Sequence, residues 1–152
     1  MERKQVYWDD VKVGQEIPGY TLKIDWTRQV KQVSGSQDFY AVHHDPDFAR
    51  AAGHPQPFVN TGFMQGCFSR LMTDWVGDEG FVRKFRMEMR KMNFVPNDKT
   101  GTPGDTMSMK GRVTDKYIKD GEHYVEADVW AENEREGVTT PSKCTLILPV
   151  RG

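Results

Sequence analysis

Between Asn60 and Gly77 the sequence writes one long apolar helix, and that helix decides what the rest of the chain must build around it. Phe63, Met64, Cys67, Phe68, Leu71, Met72, Trp75 and Val76 fall in adjacent pairs every four residues, the wide apolar stripe of a well-buried helix. Asn60-Thr61-Gly62 marks its start, and Gly77-Asp78-Glu79-Gly80 ends it. Gly66 stands inside it at a cost of about 1 kcal/mol relative to alanine, which predicts that a ligand chain or another backbone comes close there.

The segments on either side alternate instead of repeating every four. Tyr20, Leu22 and Ile24 interleave with polar residues, the pattern of a half-buried strand, and Phe85, Met87 and Met89 do the same, with Phe94-Val95 extending that strand until Pro96 stops it. After a polar turn cluster from Asn97 to Asp105, three more strands are expected: Thr106 to Tyr117, His123 to Asn133 and Ser142 to Val150. Ahead of the first strand, Trp8 to Pro18 reads as a turn-rich segment along the domain edge, with Gly14 free to take positive φ and Pro18 barring helix. Between the first strand and the long helix, Thr27 offers an N-cap for a weak helix over Val30, Val33 and Phe39 that runs toward Asp38. Asp45 to Ala52 reads as a short capped helix closed by Gly53, and His54-Pro55-Gln56-Pro57 as a rigid loop. One buried helix followed by antiparallel strands implies a single α+β domain over residues 1–152 whose sheet wraps the helix. Such a sheet keeps an open edge, and pairing with a second subunit would relieve it, so a dimer is expected.

The composition narrows the function. At 152 residues, with 21 basic against 22 acidic side chains, the chain has no overall field to attract nucleic acid or an anionic membrane, and phosphates must be held locally. Arg83, Lys84, Arg86, Arg90 and Lys91 are the cluster available for that, although a charged strand face is usually just solvated. Met1 to Trp8 lacks the apolar core of a signal peptide, and no run approaches the length of a membrane span, so a cytoplasmic, soluble protein is expected. Cys67 and Cys144 lie within apolar patterns and read as reduced, packed thiols.

The chemistry concentrates in Gln37 to Ala49, where Asp38 and His43 are five residues apart. On a continuous helix they would stand roughly 140° apart in azimuth, so the backbone must leave the helix between them if they are to share one small molecule. Asp45-Pro46 supplies the next N-cap and first-position proline. A carboxylate leaving one helix and an imidazole entering the next can converge on one water, as general acid-base catalysis requires. Gly62 opens the long helix, where the first N–H groups lack internal acceptors and suit a developing oxyanion. His43-His44-Asp45 lacks the paired spacing of zinc ligands, so neither a metal nor another cofactor is expected.

With those residues in view, the chain resembles the MaoC-like dehydratases and (R)-specific enoyl-CoA hydratases. Trp8 to Gly14 is similar to the family's opening motif, Asp38 to His43 to its Asp-x4-His pair, and Val95-Pro96-Asn97-Asp98 and Pro103-Gly104-Asp105 to later segments. In the family's Gly-Asp-x-Asn-Pro-x-His, Gln37 here replaces the glycine, Tyr40 the asparagine and Ala41 the proline, and Thr61 stands where histidine is usual before Gly62. The resemblance implies a hot dog fold and hydration of a 2-enoyl thioester carried on coenzyme A or an acyl carrier protein. Asp38 and His43 would be the acid-base pair in either order, and Gly62 the oxyanion donor. Tyr40, Phe58, Asn60, Thr61, Phe63 and Gly66 would line the substrate site. Phe39, Val42 to Asp45, Phe58 to Asn60 and Thr73-Asp74-Trp75 look most like the small subunit of actinobacterial steroid side-chain hydratases, which implies a homodimer or a second hot dog subunit and a bulky acyl group. Two rivals stay open. A hot dog thioesterase would carry its carboxylate on the long helix, where only Asp74 is found, and a non-catalytic acyl-binding subunit would have lost one of the pair.

Overall fold

The computed structural model describes residues 4–152; Met1 to Arg3, the start of the stretch read as lacking a leader, lie outside the described residues. Five strands, β1 (Glu16–Lys23), β2 (Phe81–Met87), β3 (Thr106–Lys119), β4 (Glu122–Asn133) and β5 (Gly137–Ile147), form one antiparallel sheet in the order β1-β3-β4-β5-β2. Three α-helices, α1 (Trp26–Ser36), α2 (Pro46–Ala51) and α3 (Thr61–Val76), lie between β1 and β2 in the chain.

The long helix α3 is the one the apolar pairs predict. Asn60 caps it, its Oδ1 accepting the Phe63 N–H at 2.8 Å, and Gly77, at φ 78°, turns the chain out of it. Its buried side chains, Met64, Phe68, Leu71, Met72, Trp75 and Val76, join Met107, Met109, Val125, Val129 and Leu146 of the sheet in one core. Phe68 has no exposed surface, and truncating a side chain buried to that degree costs about 3–5 kcal/mol. The pairs also include Phe63 and Cys67, which are only half-buried, because the remaining face of the helix is open.

Several local expectations are corrected. Asp25, not Thr27, caps α1, its Oδ1 accepting the Arg28 N–H at 2.8 Å. The face of α1 turned inward holds Gln29 and Val33, while Val30 is 53% exposed and Phe39 lies outside the helix. β2 stops at Met87; residues 88–95 then cross toward the head of α3, where Phe94 bridges Phe58. β5 begins at Gly137, five residues before the expected start at Ser142. Pro141 lies inside the added stretch, and its carbonyl accepts from Glu88 N on the β2 side. Carbonyl and N–H of one residue share a side in an antiparallel ladder, so the absent N–H faces the place where β2 has already ended and costs no bond to β4. The opening segment also does more than follow the edge: Val11 is in the core, and the Trp8 indole N–H donates to the Tyr124 carbonyl of the interior strand β4.

A polar knot, buried at Asn93 and Asn133 and open to solvent at Arg135, sets the crossing segment in place. Asp105 Oδ2 accepts from Phe94 N at 2.7 Å, Arg135 Nη2 at 2.9 Å and Asn133 Nδ2 at 3.3 Å, and Asn133 Nδ2 also reaches Asn93 Oδ1 at 2.9 Å. Gly104 precedes it because a Cβ there would collide with the Ile24 carbonyl and the Pro96 ring. Among the described residues, no helix is long and apolar enough to cross a membrane. Cys67 and Cys144 are both free.

Candidate active site

The backbone leaves α1 at Gln37, which takes the left-handed conformation (φ 59°, ψ 21°), so Asp38 is the first residue beyond the helix cap. A single 3-10 turn, Ala41–His43, then carries the imidazole inward. The next helix, α2, starts at once: Asp45 Oδ1 accepts from Asp47 N at 2.9 Å and Phe48 N at 3.0 Å, with Pro46 at the first helical position. This break brings His43 Nε2 to 3.6 Å from Asp38 Oδ2. The imidazole side chain is 9% exposed and the carboxylate 37%, so the ring is buried and the carboxylate of the pair reaches solvent.

Each member of the pair is oriented from outside the loop. His43 Nδ1 lies 2.8 Å from the Phe58 carbonyl oxygen. A carbonyl can only accept, so Nδ1 carries the hydrogen, and a neutral ring in this tautomer presents its Nε2 lone pair to Asp38 while a protonated one presents Nε2–H. Asp38 Oδ2 accepts from Asn60 Nδ2 at 2.5 Å, and Asp38 Oδ1 from Tyr40 N at 3.4 Å. The Asn60 bond is the main reason the Asp38 carboxyl is held below its ordinary value of 3.8, with smaller help from Tyr40 N–H and from His43. Asn60 is itself held by Gln32 of α1, whose Nε2 donates to Asn60 Oδ1 at 2.6 Å. Its side chain therefore caps α3 and grips Asp38 with opposite ends of one amide.

Two residues on from Asn60, Gly62 occupies the first turn of α3. There Phe63 N–H goes to Asn60 Oδ1 and Met64 N–H to the Asn60 carbonyl at 3.3 Å, while Thr61 and Gly62 N–H have no acceptor within the helix. Gly62 opens onto a groove of about 310 Å³ shared with Tyr20, Gln32, Phe63, Gly66 and Arg70. A Cβ at Gly66 would meet nothing within 4 Å. Among the described residues no backbone from outside α3 approaches this position, and Gly66 lines the groove.

A family model for the MaoC like domain matches residues 11–135. The chain belongs to that family. Like other MaoC-like proteins it has the hot dog fold: over 92% of this chain and 98% of the other it superposes on the (R)-hydratase from A. caviae involved in PHA biosynthesis, with TM-score 0.76 and 18% identity. A similar superposition, TM-score 0.76 at 27% identity, covers 90% of this chain and 98% of a chain in the ChsH1-ChsH2 complex from Mycobacterium tuberculosis. In sequence the chain is 31% identical over 112 residues, 72% of its length and 77% of the relative's, to the Mycobacterium tuberculosis 3-oxo-4,17-pregnadiene-20-carboxyl-CoA hydratase beta subunit. The family supports a hydratase or dehydratase kind of function.

Of the residues singled out in this MaoC-like sequence, the structure draws Asp38, Tyr40, His43, Phe58 and Asn60 into one cluster. The Tyr40 ring stands edge-on to His43 with centroids 6.0 Å apart, and Phe58 flanks the same imidazole at 5.1 Å. Gly62, Phe63 and Gly66 line the neighbouring groove, joined to the cluster through Gln32 and Asn60. Thr61 is exposed at the helix start. The basic residues considered for phosphate binding are partly neutralised: Arg86 and Arg90 pair with Glu88, and Lys91 with Glu136. A larger depression of about 450 Å³, lined by Arg86, Trp130 and Lys143 among others, contains no member of the cluster. Sequence reasoning missed Gln29 and Gln32. Their only signal is two amides three residues apart on α1, one of them at a position that helical phase assigns to the core with Val33.

Proposed function

We propose that this chain is the catalytic subunit of a hydro-lyase that adds water to a 2-enoyl thioester, carried on coenzyme A or an acyl carrier protein, or runs the reverse dehydration. The observation that carries this reading is the facing of His43 Nε2 and Asp38 Oδ2 at 3.6 Å, which are both acceptors when the imidazole is neutral with its hydrogen on Nδ1. Two acceptors so placed hold a water by its two hydrogens and leave its oxygen lone pair free for the β-carbon. Bond formation there pushes the double-bond electrons onto the thioester oxygen, where the Gly62 N–H at the start of α3 can meet the charge. One water proton passes to the pair as the C–O bond forms, and the pair delivers a proton to the α-carbon, so one water is consumed and the pair ends as it began. Imidazole is the stronger base of the two types, and Asn60 further weakens the basicity of Asp38, so the proton in transit rests on His43.

The thioesterase alternative gains nothing from the site. Asp74, the carboxylate on α3, is near that helix's far end and is paired with Arg70 at 3.3 Å. The substrate side of the reading draws on the open groove beside Gly62 and on the mycobacterial relative named for a bulky acyl-CoA. Branched or ring-bearing enoyl-CoA thioesters are the preferred substrates in this proposal, with a second hot dog subunit completing the site and the cytoplasm as the compartment.

The test is to follow the enoyl thioester absorbance of crotonyl-CoA and of a ring-bearing enoyl-CoA while watching separately for free thiol. Loss of the enoyl signal without thiol release supports the hydratase; thiol release would replace it with a thioesterase. Asp38→Asn and His43→Ala should each lower kcat by about 10²–10⁴-fold, the range for loss of a general acid or base, with the circular dichroism of the native chain. Near-native turnover by either variant would remove the mechanism. Better turnover of crotonyl-CoA than of the bulky thioester, by the chain alone and with a partner, would remove the substrate assignment.

A further inference from the structure

Gln29 contributes nothing to the groove or to the reacting atoms, yet it has no exposed surface and lies directly behind the imidazole. Its Nε2 donates to the His43 carbonyl at 2.8 Å and to the Phe58 carbonyl at 3.1 Å. The Phe58 oxygen is the same atom that accepts from His43 Nδ1. One amide thus ties the backbone that carries the imidazole to the backbone that fixes its tautomer. The orientation of the amide is determined, since reversing it would set its oxygen against two carbonyl oxygens. Its own oxygen, Oε1, is buried with no hydrogen-bond partner among the described residues. A fully buried polar side chain with an unsatisfied atom is unfavourable compared with an apolar residue of the same shape, and such violations are expected where position matters more than stability.

Building on the hydratase reading, we infer that Gln29 is a positioning residue for the acid-base pair. It holds the Ala41–His43 turn against residue 58, so that Nδ1–H meets the Phe58 carbonyl and Nε2 faces Asp38. Its side chain is remote from substrate, so its loss should reduce kcat and spare KM.

Two variants test this in the full-length protein. Gln29→Met keeps the length and removes both donors. Gln29→Glu keeps the shape: its neutral acid can donate to one carbonyl, and its ionised form to neither. Gln29→Met should fold with native circular dichroism, lose about 10–100-fold in kcat, the scale of a misplaced reacting group, and keep KM within about twofold. In Gln29→Glu the kcat relative to wild type should fall as pH rises through the ionisation of the new carboxyl. Nitrogen-15 imidazole spectra without substrate, assigned with His43→Ala, should show a protonated Nδ1 in the wild type and loss of that preference in Gln29→Met. Wild-type kcat in a folded Gln29→Met, or an unchanged imidazole spectrum, overturns the inference. If Gln29→Met does not fold, a pH-independent ratio for Gln29→Glu overturns it. A wild type that fails to hydrate any enoyl-CoA defeats the hydratase reading, while the spectra still decide the role of Gln29.

Discussion

Asp38 is steadied by an amide rather than by a cation, and the choice matters for its charge. Asn60 Nδ2, 2.5 Å away, supplies the principal stabilisation of the carboxylate. Because the folded value lies below 3.8, this bond favours the folded chain above that pH, and its contribution is lost as pH falls through the lowered value. Asn60→Asp separates the two duties of the residue. Aspartate caps a helix as well as asparagine, and an oxygen remains for Phe63 N–H and Gln32, but the atom facing Asp38 becomes a second acceptor. Two carboxylates so close share a proton, so the acid limb of the kcat/KM profile should move up by about 1–3 pH units, and by the same linkage the melting temperature should fall at neutral pH and recover as the pair takes up its proton at lower pH. An unmoved acid limb would show that the Asn60 bond does not set the ionisation that activity depends on. At this scale the sequence marks the proposed acid-base pair and is silent about the residues that hold it. Asp38 and His43 announce themselves by type and spacing, whereas the contacts of Gln29 are backbone carbonyls at positions 43 and 58, and nothing in a local pattern marks a carbonyl that the fold will bring near.

The helix end before Asp38 explains one departure from the family motif. Where glycine is usual, Gln37 holds φ 59°, a conformation that costs a residue with a Cβ roughly 1–2 kcal/mol and glycine almost nothing. Gln37→Gly should therefore raise stability, by about 1 kcal/mol after allowing for the greater freedom of glycine in the unfolded chain. In a chain of this size that is a rise of about 2–4 °C in Tm; an unchanged or lower Tm would mean that the Gln37 side chain earns its place by some contact. The elements themselves were legible in proportion to their periodicity. α3 carries its pattern over sixteen residues and emerges with both ends placed, while α1 was assigned to the wrong cap and partly the wrong face because its inward positions include a glutamine. β5 begins five residues ahead of its expected start and runs through Pro141, whose missing N–H costs no bond to β4.

At the scale of the molecule, the sheet order leaves β1 and β2 as its two edges, and each ladder is interrupted by a register shift, between Ile17 and Tyr20 in one and Val82 and Lys84 in the other. The regular run from Lys84 to Met87 and the open face of α3 beside the groove are the surfaces a second subunit would cover. Light scattering should give a dimer at micromolar concentration, and co-expression with a second hot dog subunit should yield a stable mixed complex; a monomer in both experiments would count against any shared site. The polar knot at the far end of the sheet has its own consequence. Arg135 and Asp105 hold Phe94, Phe94 bridges Phe58, and the Phe58 carbonyl holds the imidazole. In laboratory evolution for faster turnover, positions 105 and 135 thus belong in the library with the proposed pair, although neither side chain is part of the Asp38–His43 cluster.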